Sequence, residues 1–384
     1  MISLVLPTYN EAASVQEVLR RASDVLRAAG EQFELIVVDD SSPDGTAEFA
    51  QALADELPVC VVRRVRRSGL ALAVVDGWKV ACGEVLGVMD ADLQHPPEVL
   101  TSLVTALRNE NVDLVIASRS GPGGGTADWS WGRRLMSWVA MHVAACVLPW
   151  TLAEVRDPMS GMFLVRRRAL QGVRLEPAGY KILLEVLAKG RYREFTEVSY
   201  VFGPRGRGNS KLGARQSLEY VLHLARLARS TGQSQKWMRY AAVGFMGALI
   251  NVGACFFLVQ RAGWPPGLAL AVTIQLALLS NFLWNKVLTF RSAARWPGNG
   301  RGILARLLRY EKVCAPGAFL NASLTLLLYG RGTTLALAST AGVILGGAWN
   351  LFFNVPAIWR TWGPSPPGSE VAVPSVRPAS SVRF

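Results

Sequence analysis

The segment 'VMDADLQHPPE' places Asp90 and Asp92 directly after an apolar run, with Gln94 two residues further on. Two carboxylates and an amide oxygen at alternate positions suit a hard divalent cation that also holds phosphate oxygens. An Asp at a strand end can equally close a turn, so the triplet by itself leaves both readings open. His95 adjoins it, but Pro96 and Pro97 fix a turn there, which gives this histidine a structural role. Two more clusters of polar residues follow apolar runs, at Pro7–Glu11 and at Asp39–Asp44.

The elements that would carry these clusters form an alternating series. Ile2–Leu6, Glu34–Val38, Val59–Val62, Val85–Met89 and Leu114–Ala117 are short apolar runs separated by helix-length segments. Val15, Val18, Leu19, Ala22 and Leu26 have helical spacing. Continuous apolar strands with helical crossovers predict an α/β domain with a mostly parallel sheet covered on both faces. Ligands bind such sheets outside the carboxyl ends of the strands, where the polar clusters fall.

Charge divides the chain. The net charge of +13 over 384 residues suggests nucleic acid at first, but residues 1–219 balance to −1, and residues after 219 contain only Glu311 and Glu370 as acids. The basic excess therefore accompanies long apolar runs, as in a membrane protein with basic cytoplasmic loops, and no nucleic-acid partner is expected. Four segments, Trp237–Val259, Pro266–Leu288, Glu311–Tyr329 and Thr334–Ile358, each have about the twenty residues needed to span a bilayer. Arg291, Arg295, Arg301, Arg306, Arg309 and Lys312 crowd one connection, whereas the other two carry Arg261 and Arg331. Positive-inside counting predicts a multi-pass protein of the cytoplasmic membrane with the basic connection and the N-terminal domain in the cytoplasm. No secretory signal is read at Met1, which leads straight into a strand-like run. Gln216–Arg229 is amphipathic and fits either a bilayer surface or a packed linker. Leu135–Leu148 is apolar but short for a span, and fits either a core helix or one dipping into the interface. Arg166–Arg168 could face anionic lipid or solvent. The scattered cysteines Cys60, Cys82, Cys146, Cys255 and Cys314 predict buried free thiols. The tail after Thr361 is Pro- and Ser-rich, with a composition typical of disorder.

The membrane part repeats. Arg239, Tyr240, Val243, Gly247, Ala248 and Asn251 recur seventy residues later as Arg309, Tyr310, Val313, Gly317, Ala318 and Asn321, and Asn281 and Asn285 recur as Asn350 and Asn354. This is a parallel duplication of a helix hairpin, with the amides serving as hydrogen-bonding glue between helices or lining a substrate path.

Taken together, 'LVLPTYNEA', 'VVDDSSPDGT', 'DADLQHPPE', 'DPMSGMFLVRR' and 'FGPRGRGNSKLG' resemble the family 2 glycosyltransferases of the dolichol-phosphate mannose synthase type, over about Met1–Gly213. The C-terminal part separately resembles the four-helix GtrA-like membrane domain. The resemblance implies a GT-A catalytic domain (1–213), an interfacial linker helix (214–235), a four-helix transmembrane domain (236–360) and a disordered tail (361–384). It implies transfer of mannose from GDP-mannose to a polyprenyl or dolichyl phosphate, with Mg2+ or Mn2+, membrane lipids as surroundings and no obligate protein partner. Carried over by position, Pro7, Tyr9, Glu11, Val38 and Asp40 line the nucleotide pocket, where a carboxylate can accept from base or ribose donors and Tyr9 can stack. Asp90, Asp92 and Gln94, with Ala91, hold the metal and nucleotide sugar. Arg119, Arg133, Ser137, Arg205 and Lys211 contact donor and acceptor phosphates, a task that suits the bidentate fork of arginine. Asp157 in 'DPMSG' lies near the reaction centre. Gly121–Gly125 and 'TADWSWGRRLMSW' resemble the acceptor loop, departing from its usual pattern at Thr126, Ala127 and Asp128.

A polyprenyl phosphate is ionised at neutral pH and is its own nucleophile, so the transfer needs positioning and electrostatics rather than a base. The scarcity of histidine is therefore no obstacle. Single displacement inverts the anomeric centre. Three alternatives remain at this level. One is a UDP-glucose-using polyprenyl-phosphate glucosyltransferase. Another is a processive polysaccharide synthase, which the missing Gln-x-x-Arg-Trp signature disfavours. The third is a lipid-linked-sugar flippase with a regulatory transferase-like domain.

Overall fold

The computed structural model describes residues 1–109, 111–126, 129–152, 154–177, 181–203, 214–289 and 300–354. Two compact units emerge, one built on Met1–Met238 and one on Arg239–Asn350. The first alternates strand and helix: β1 (Ile2–Thr8), α1 (Val15–Ala28), β2 (Phe33–Asp39), α2 (Thr46–Gln51), β3 (Val59–Arg63), α3 (Leu70–Val80), β4 (Val85–Val88), α4 (Val99–Leu107) and β5 (Val112–Ser118). Next come β6 (Gly125–Thr126), α5 (Trp131–Val147), α6 (Pro149–Leu152), β7 (Phe163–Arg166), α7 (Ile182–Lys189), β8 (Glu194–Ser199), β9 (Val201–Phe202) and α8 (Ala214–Ser230).

Seven strands form one sheet in the order β3-β2-β1-β4-β7-β5-β8, and β6 pairs with β9 separately. All neighbours in the large sheet are parallel except β7, which runs against both β4 and β5. The reversal follows from the connection. The chain leaves β5 at its carboxyl end and builds residues 119–162 there, so the next strand must run back down the sheet. Strand alternation then sends side chains to two cores. Leu4 and Leu6 of β1 pack with Leu19 and Leu26 of α1 and Leu100 and Leu103 of α4, while Val5 packs with Val74 of α3, Phe163 of β7 and Leu183 of α7.

Helix α8 both packs and faces outward. Tyr220, Leu224, Leu227 and Ala228 are buried with the second of these cores, while Leu218, Val221 and Leu222 are exposed. Helix α5 also turns Trp131, Leu135, Met136, Trp138 and Val139 outward, Trp131 at 78% exposure, and buries Ala144. The basic triplet that begins with the last residue of β7 is tied to the sheet, although Arg168 stays exposed. Arg166 donates to the carbonyls of Leu107 and Val112, Arg167 to those of Ala81 and Gly83, and Arg168 to Asp113. These arginines fasten the end of the sheet. The cysteines are free thiols, but Cys60 and Cys82 are exposed rather than buried.

The second unit contains α9 (Gln233–Gln260, which begins in the first unit), α10 (Pro266–Trp284), α11 (Gly300–Gly330) and α12 (Leu335–Trp349). Together with their continuations they give four helices long and apolar enough to cross a membrane. The duplication is structural as well as sequential. The Asn281 amide lies against Gly247, the Asn350 amide lies against Gly317 at the equivalent place, and α10 and α12 both run into a π-helical turn, Asn285–Thr289 and Asn350–Asn354. These are close packings of an amide on a glycine, and Asn281 Oδ1 makes no hydrogen bond among the described residues. The duplication is not exact, because Gln275 of α10 donates to Glu311 of α11 at 2.6 Å and Ala241 stands where the first copy would carry that acid. The tail 361–384 lies outside the described residues.

Candidate active site

Strands β2, β1 and β4 are adjacent and parallel, with Thr8 opposite Asp39 and Val5 opposite Val88. That register alone brings the three polar clusters to one edge of the sheet. Side chains then tie them together. The Ser14 hydroxyl donates to the Ala91 carbonyl at 2.8 Å, linking the first loop to the third, and the Glu11 amide donates to Thr46 Oγ1 at 3.0 Å. Asp44 accepts from the Ala12 amide at 3.1 Å and from Thr46, closing the turn before Gly45.

Asp40 is buried and holds a loop that sequence reading did not single out. Its carboxylate accepts from Arg64 at 2.7 Å and from the Ser68 and Gly69 amides at 3.0 and 2.9 Å. That loop brings Arg67 over the Tyr9 ring, with the guanidinium carbon 3.8 Å from the ring centroid. Tyr9 thus presents a face suited to planar groups, and a guanidinium already covers it. Pro7 and Val38 are buried in the sheet, so what they offer at the strand ends is backbone.

Asp90 and Asp92 follow β4. Asp92 accepts the Gln94 amide at 3.1 Å. Asp90 Oδ1 is buried with no hydrogen-bond partner among the described residues, and burial first, then the neighbouring Asp92 charge, pushes this carboxyl up to about 7. Gln94 Nε2 donates to the Gly203 carbonyl at 3.2 Å, which spends the amide nitrogen and leaves Oε1 as the acceptor end. An acid pair held close at an electrostatic cost, with one orphaned oxygen, fits a divalent cation. The fit consists of these two acids and an amide, since no cluster of three or more His, Cys, Asp or Glu side chains occurs among the described residues.

His95 is buried and packed between Tyr200, at 5.8 Å, and Phe202, at 5.0 Å, and burial drives its pKa down to about 3. It is a neutral packing residue, as the two prolines suggested. Gly161 of 'DPMSG' closes this corner. A Cβ there would overlap Asp90 Oδ2 and come within 3.1 Å of His95 Cε1, so the glycine lets its backbone rest on the acid.

Asp157 is fully buried and holds Arg119 at the end of β5. Arg119 donates through Nε and Nη2 at 2.7 Å each, and its amide adds a third bond at 3.0 Å. Burial raises the Asp157 pKa, but the bonds from Arg119 outweigh it and hold the carboxyl below the ordinary range. Glu197 of β8 steadies the same loop by accepting the Arg156 and Asp157 amides at 3.0 Å each. Lys181, just before α7, donates to the Met159 carbonyl at 2.7 Å. Burial and the Arg119 charge lower its pKa to about 8 against the pull of Asp90, Asp157 and Asp92. Sequence reading singled out neither Glu197 nor Lys181. The one available signal was a lysine immediately before the apolar run 'ILLEVL'.

Trp129 connects the two arginines expected on phosphates, with the guanidinium carbons of Arg133 and Arg119 lying 4.2 and 5.5 Å from its ring centroid. Ser130 caps α5, accepting the Arg133 amide at 3.4 Å. Ser137 lies one turn after Arg133 on the same helix face. The glycine-rich loop before them packs tightly enough at Gly121 that a Cβ would overlap the Ser199 hydroxyl, and it is pinned where β6 pairs with β9. Arg205, Lys211, Ala127 and Asp128 lie outside the described residues.

Residues 3–174 match the family described as glycosyl transferase family 2, and residues 239–359 match the GtrA/DPMS transmembrane domain. The chain is 38% identical over 360 residues to a dolichol-phosphate mannosyltransferase of Pyrococcus furiosus, covering 94% of this chain and 99% of that one. It is 35% identical over 236 residues to a dolichol-phosphate mannosyltransferase of Saccharomyces cerevisiae, covering 59% and 86%. To an undecaprenyl-phosphate mannosyltransferase of Micrococcus luteus it is 33% identical over 228 residues, covering 58% and 91%.

Proposed function

From the premise that this chain belongs to the family 2 glycosyltransferases of the dolichol-phosphate mannosyltransferase type, with a GtrA/DPMS membrane domain, we propose that it transfers mannose from GDP-mannose to the phosphate of a membrane polyprenol. The observation that carries this reading is the 38% identity over 94% of the chain, which takes in the catalytic and membrane parts together.

The reaction forms a bond between a phosphate oxygen of the lipid and the anomeric carbon of mannose, and breaks the bond from that carbon to the diphosphate. GDP leaves with the electron pair, and no proton need move. Attack opposite the leaving group inverts the centre and gives a β-linked product from an α-linked donor. The protein's work is therefore placement and charge compensation.

Asp90, Asp92 and the Gln94 amide oxygen would hold Mg2+ or Mn2+, which supplies charge neutralisation for the departing diphosphate. Tyr9, Glu11, Asp40 and the backbone of Pro7, Val38 and Ala91 frame the nucleotide. Asp157 is an orienting group rather than a base, because both of its oxygens are committed to Arg119. Arg119 keeps Nη1 for phosphate, and Arg133, Ser137, Arg205 and Lys211 complete the anion-binding set. The outward apolar faces of α5 and α8 suit a bilayer surface, where a polyprenyl phosphate presents its head group. The basic connection at 291–312 supports a cytoplasmic catalytic side.

The test is transfer by the purified full chain in detergent, with GDP-mannose labelled in the sugar and polyprenyl phosphate as acceptor. Label should enter the lipid extract, and NMR of the product should show the β anomer. Transfer from UDP-glucose in place of GDP-mannose would overturn the donor assignment, and an α-linked product would overturn inversion.

A further inference from the structure

Residues 157–161 form a short loop whose two ends govern different parts of the site. At its start Asp157 holds Arg119 through two bonds of 2.7 Å. At its end the Gly161 backbone rests on the Asp90 carboxylate and on His95. The midpoint, Met159, is gripped from two directions. Lys181 donates to its carbonyl at 2.7 Å, and the Tyr220 hydroxyl of α8, which donates to the Ala140 carbonyl at 2.9 Å, lies 3.4 Å from its sulfur. Met159 is 5% exposed, so the loop has little room to shift while these contacts stand.

We propose that Lys181 is a positioning residue for the transfer. By holding the 157–161 loop at Met159, it keeps Arg119 and Asp90 at the spacing that the donor diphosphate requires. Tyr220 is the second hold on the same residue and brings α8, with its exposed apolar face, into the support of the site. Two neighbouring bonds stabilise this arrangement. Within α7, Lys189 bonds Glu185 at 2.8 Å, and His223 of α8 bonds the other Glu185 oxygen at 3.0 Å, the contact that joins α8 to α7. A loose loop would leave binding groups in place but misalign them, and a displacement of about 1 Å at a reacting centre costs on the order of a hundredfold in rate.

This inference rests on the proposed mannosyl transfer, and its test separates the two. K181M, K181R and Y220F are made in the full chain and compared in detergent by steady-state kinetics and by hydrogen exchange over 155–163, read by mass spectrometry. K181M is expected to lower kcat by about thirtyfold to a hundredfold, while KM for GDP-mannose and for the lipid phosphate each change less than about threefold. K181R, which can still donate to the Met159 carbonyl, recovers most of kcat. Exchange over the loop rises in K181M and returns in K181R. An unchanged exchange profile in K181M overturns the proposal, as does faster exchange with unaltered kcat, which makes the lysine a purely structural support. A rise in KM for GDP-mannose at constant kcat overturns it too, by making Lys181 a ligand of the donor. Should K181M not fold, Y220F carries the test. Faster exchange with a loss of about threefold in kcat supports the proposal, and no change in either overturns it. If the parent moves no label from GDP-mannose, the mannosyl-transfer reading fails, and the variants are compared with the sugar nucleotide that the parent does use. The exchange comparison does not depend on the donor.

Discussion

Arg119 and Asp157 meet in a fork of two parallel bonds at 2.7 Å, closed by a third from the Arg119 amide at 3.0 Å, with Asp157 fully buried. Charge-assisted bidentate bonds of this kind set orientation as well as energy. The pair sits at the carboxyl end of β5, and Nη1 of the guanidinium makes no hydrogen bond among the described residues. Both side-chain oxygens of Asp157 are committed to Arg119.

Removing one partner of a buried pair leaves the other charge without compensation, at a cost of about 3 kcal/mol or more. Asp157→Ala should therefore lower the melting temperature and reduce transfer by at least about a hundredfold, while Arg119→Lys, which lacks the fork, should lose activity with a smaller thermal penalty. The pH dependence has a definite sign. The folded carboxyl titrates below its ordinary value, so its stabilisation is complete above about pH 4 and disappears as pH falls through the folded pKa. The difference in melting temperature between parent and D157A should stay flat from pH 7 to about 5 and shrink below pH 4. A difference that instead grows on acidification would contradict the pairing.

The acid pair makes a separate prediction. Asp92→Ala should abolish metal-dependent turnover and leave thermal stability near the parent's, because a partly exposed carboxylate at a strand end contributes chemistry rather than core. Excess EDTA should silence the parent, with recovery on adding Mn2+ or Mg2+. Near-normal turnover in EDTA would remove the metal from the site.

Gly161 tests whether close packing on Asp90 matters to catalysis. Gly161→Ala puts a methyl group where the Asp90 carboxylate and His95 lie, so acid or loop must shift. Transfer should fall by about tenfold to a hundredfold, and the half-saturating Mn2+ concentration should rise. Parental kinetics in G161A would show that Asp90 moves aside without consequence.

How much of this could be read in advance depended on distance along the chain. Asp90, Asp92 and Gln94 are local, and the parallel sheet expected from the apolar runs carries them to the same edge as Tyr9 and Asp40. Arg119 and Asp157 were each marked, but their union spans 38 residues within the connection between β5 and β7, and no residue pattern announces it. Lys181 and Arg67 come from stretches without a motif, and their roles follow from where α3 and α7 begin. Arg166–Arg168 offered lipid or solvent as partners; the fold ties Arg166 and Arg167 to carbonyls, while Arg168 bonds Asp113 and remains exposed to solvent. For α5 and α8, hydropathy registered an apolar face, but which part is covered depended on Tyr220 and Leu224 finding the core.

Arg133 should divide from Arg119 in function. Its guanidinium stacks on Trp129 at 4.2 Å, beside the capped start of α5, where the outward apolar side chains Trp131, Leu135 and Met136 begin. Under the proposed function, a cation at the edge of an apolar surface suits a phosphate carried on a lipid, and Arg119, tied to Asp157, is assigned to the donor. Arg133→Ala should raise KM for polyprenyl phosphate by about tenfold or more and leave KM for GDP-mannose within about threefold, the loss expected for a charge-assisted bond. Arg133→Lys should recover part of this, since a point charge attracts phosphate but cannot match its fork or stack on Trp129 equally well. Steady-state kinetics with each substrate varied in turn makes the measurement, supported by calorimetry of GDP-mannose binding without lipid. If R133A weakens GDP-mannose binding in calorimetry and leaves KM for the lipid unchanged, Arg133 belongs to the donor, and the exposed face of α5 is not where the acceptor phosphate enters.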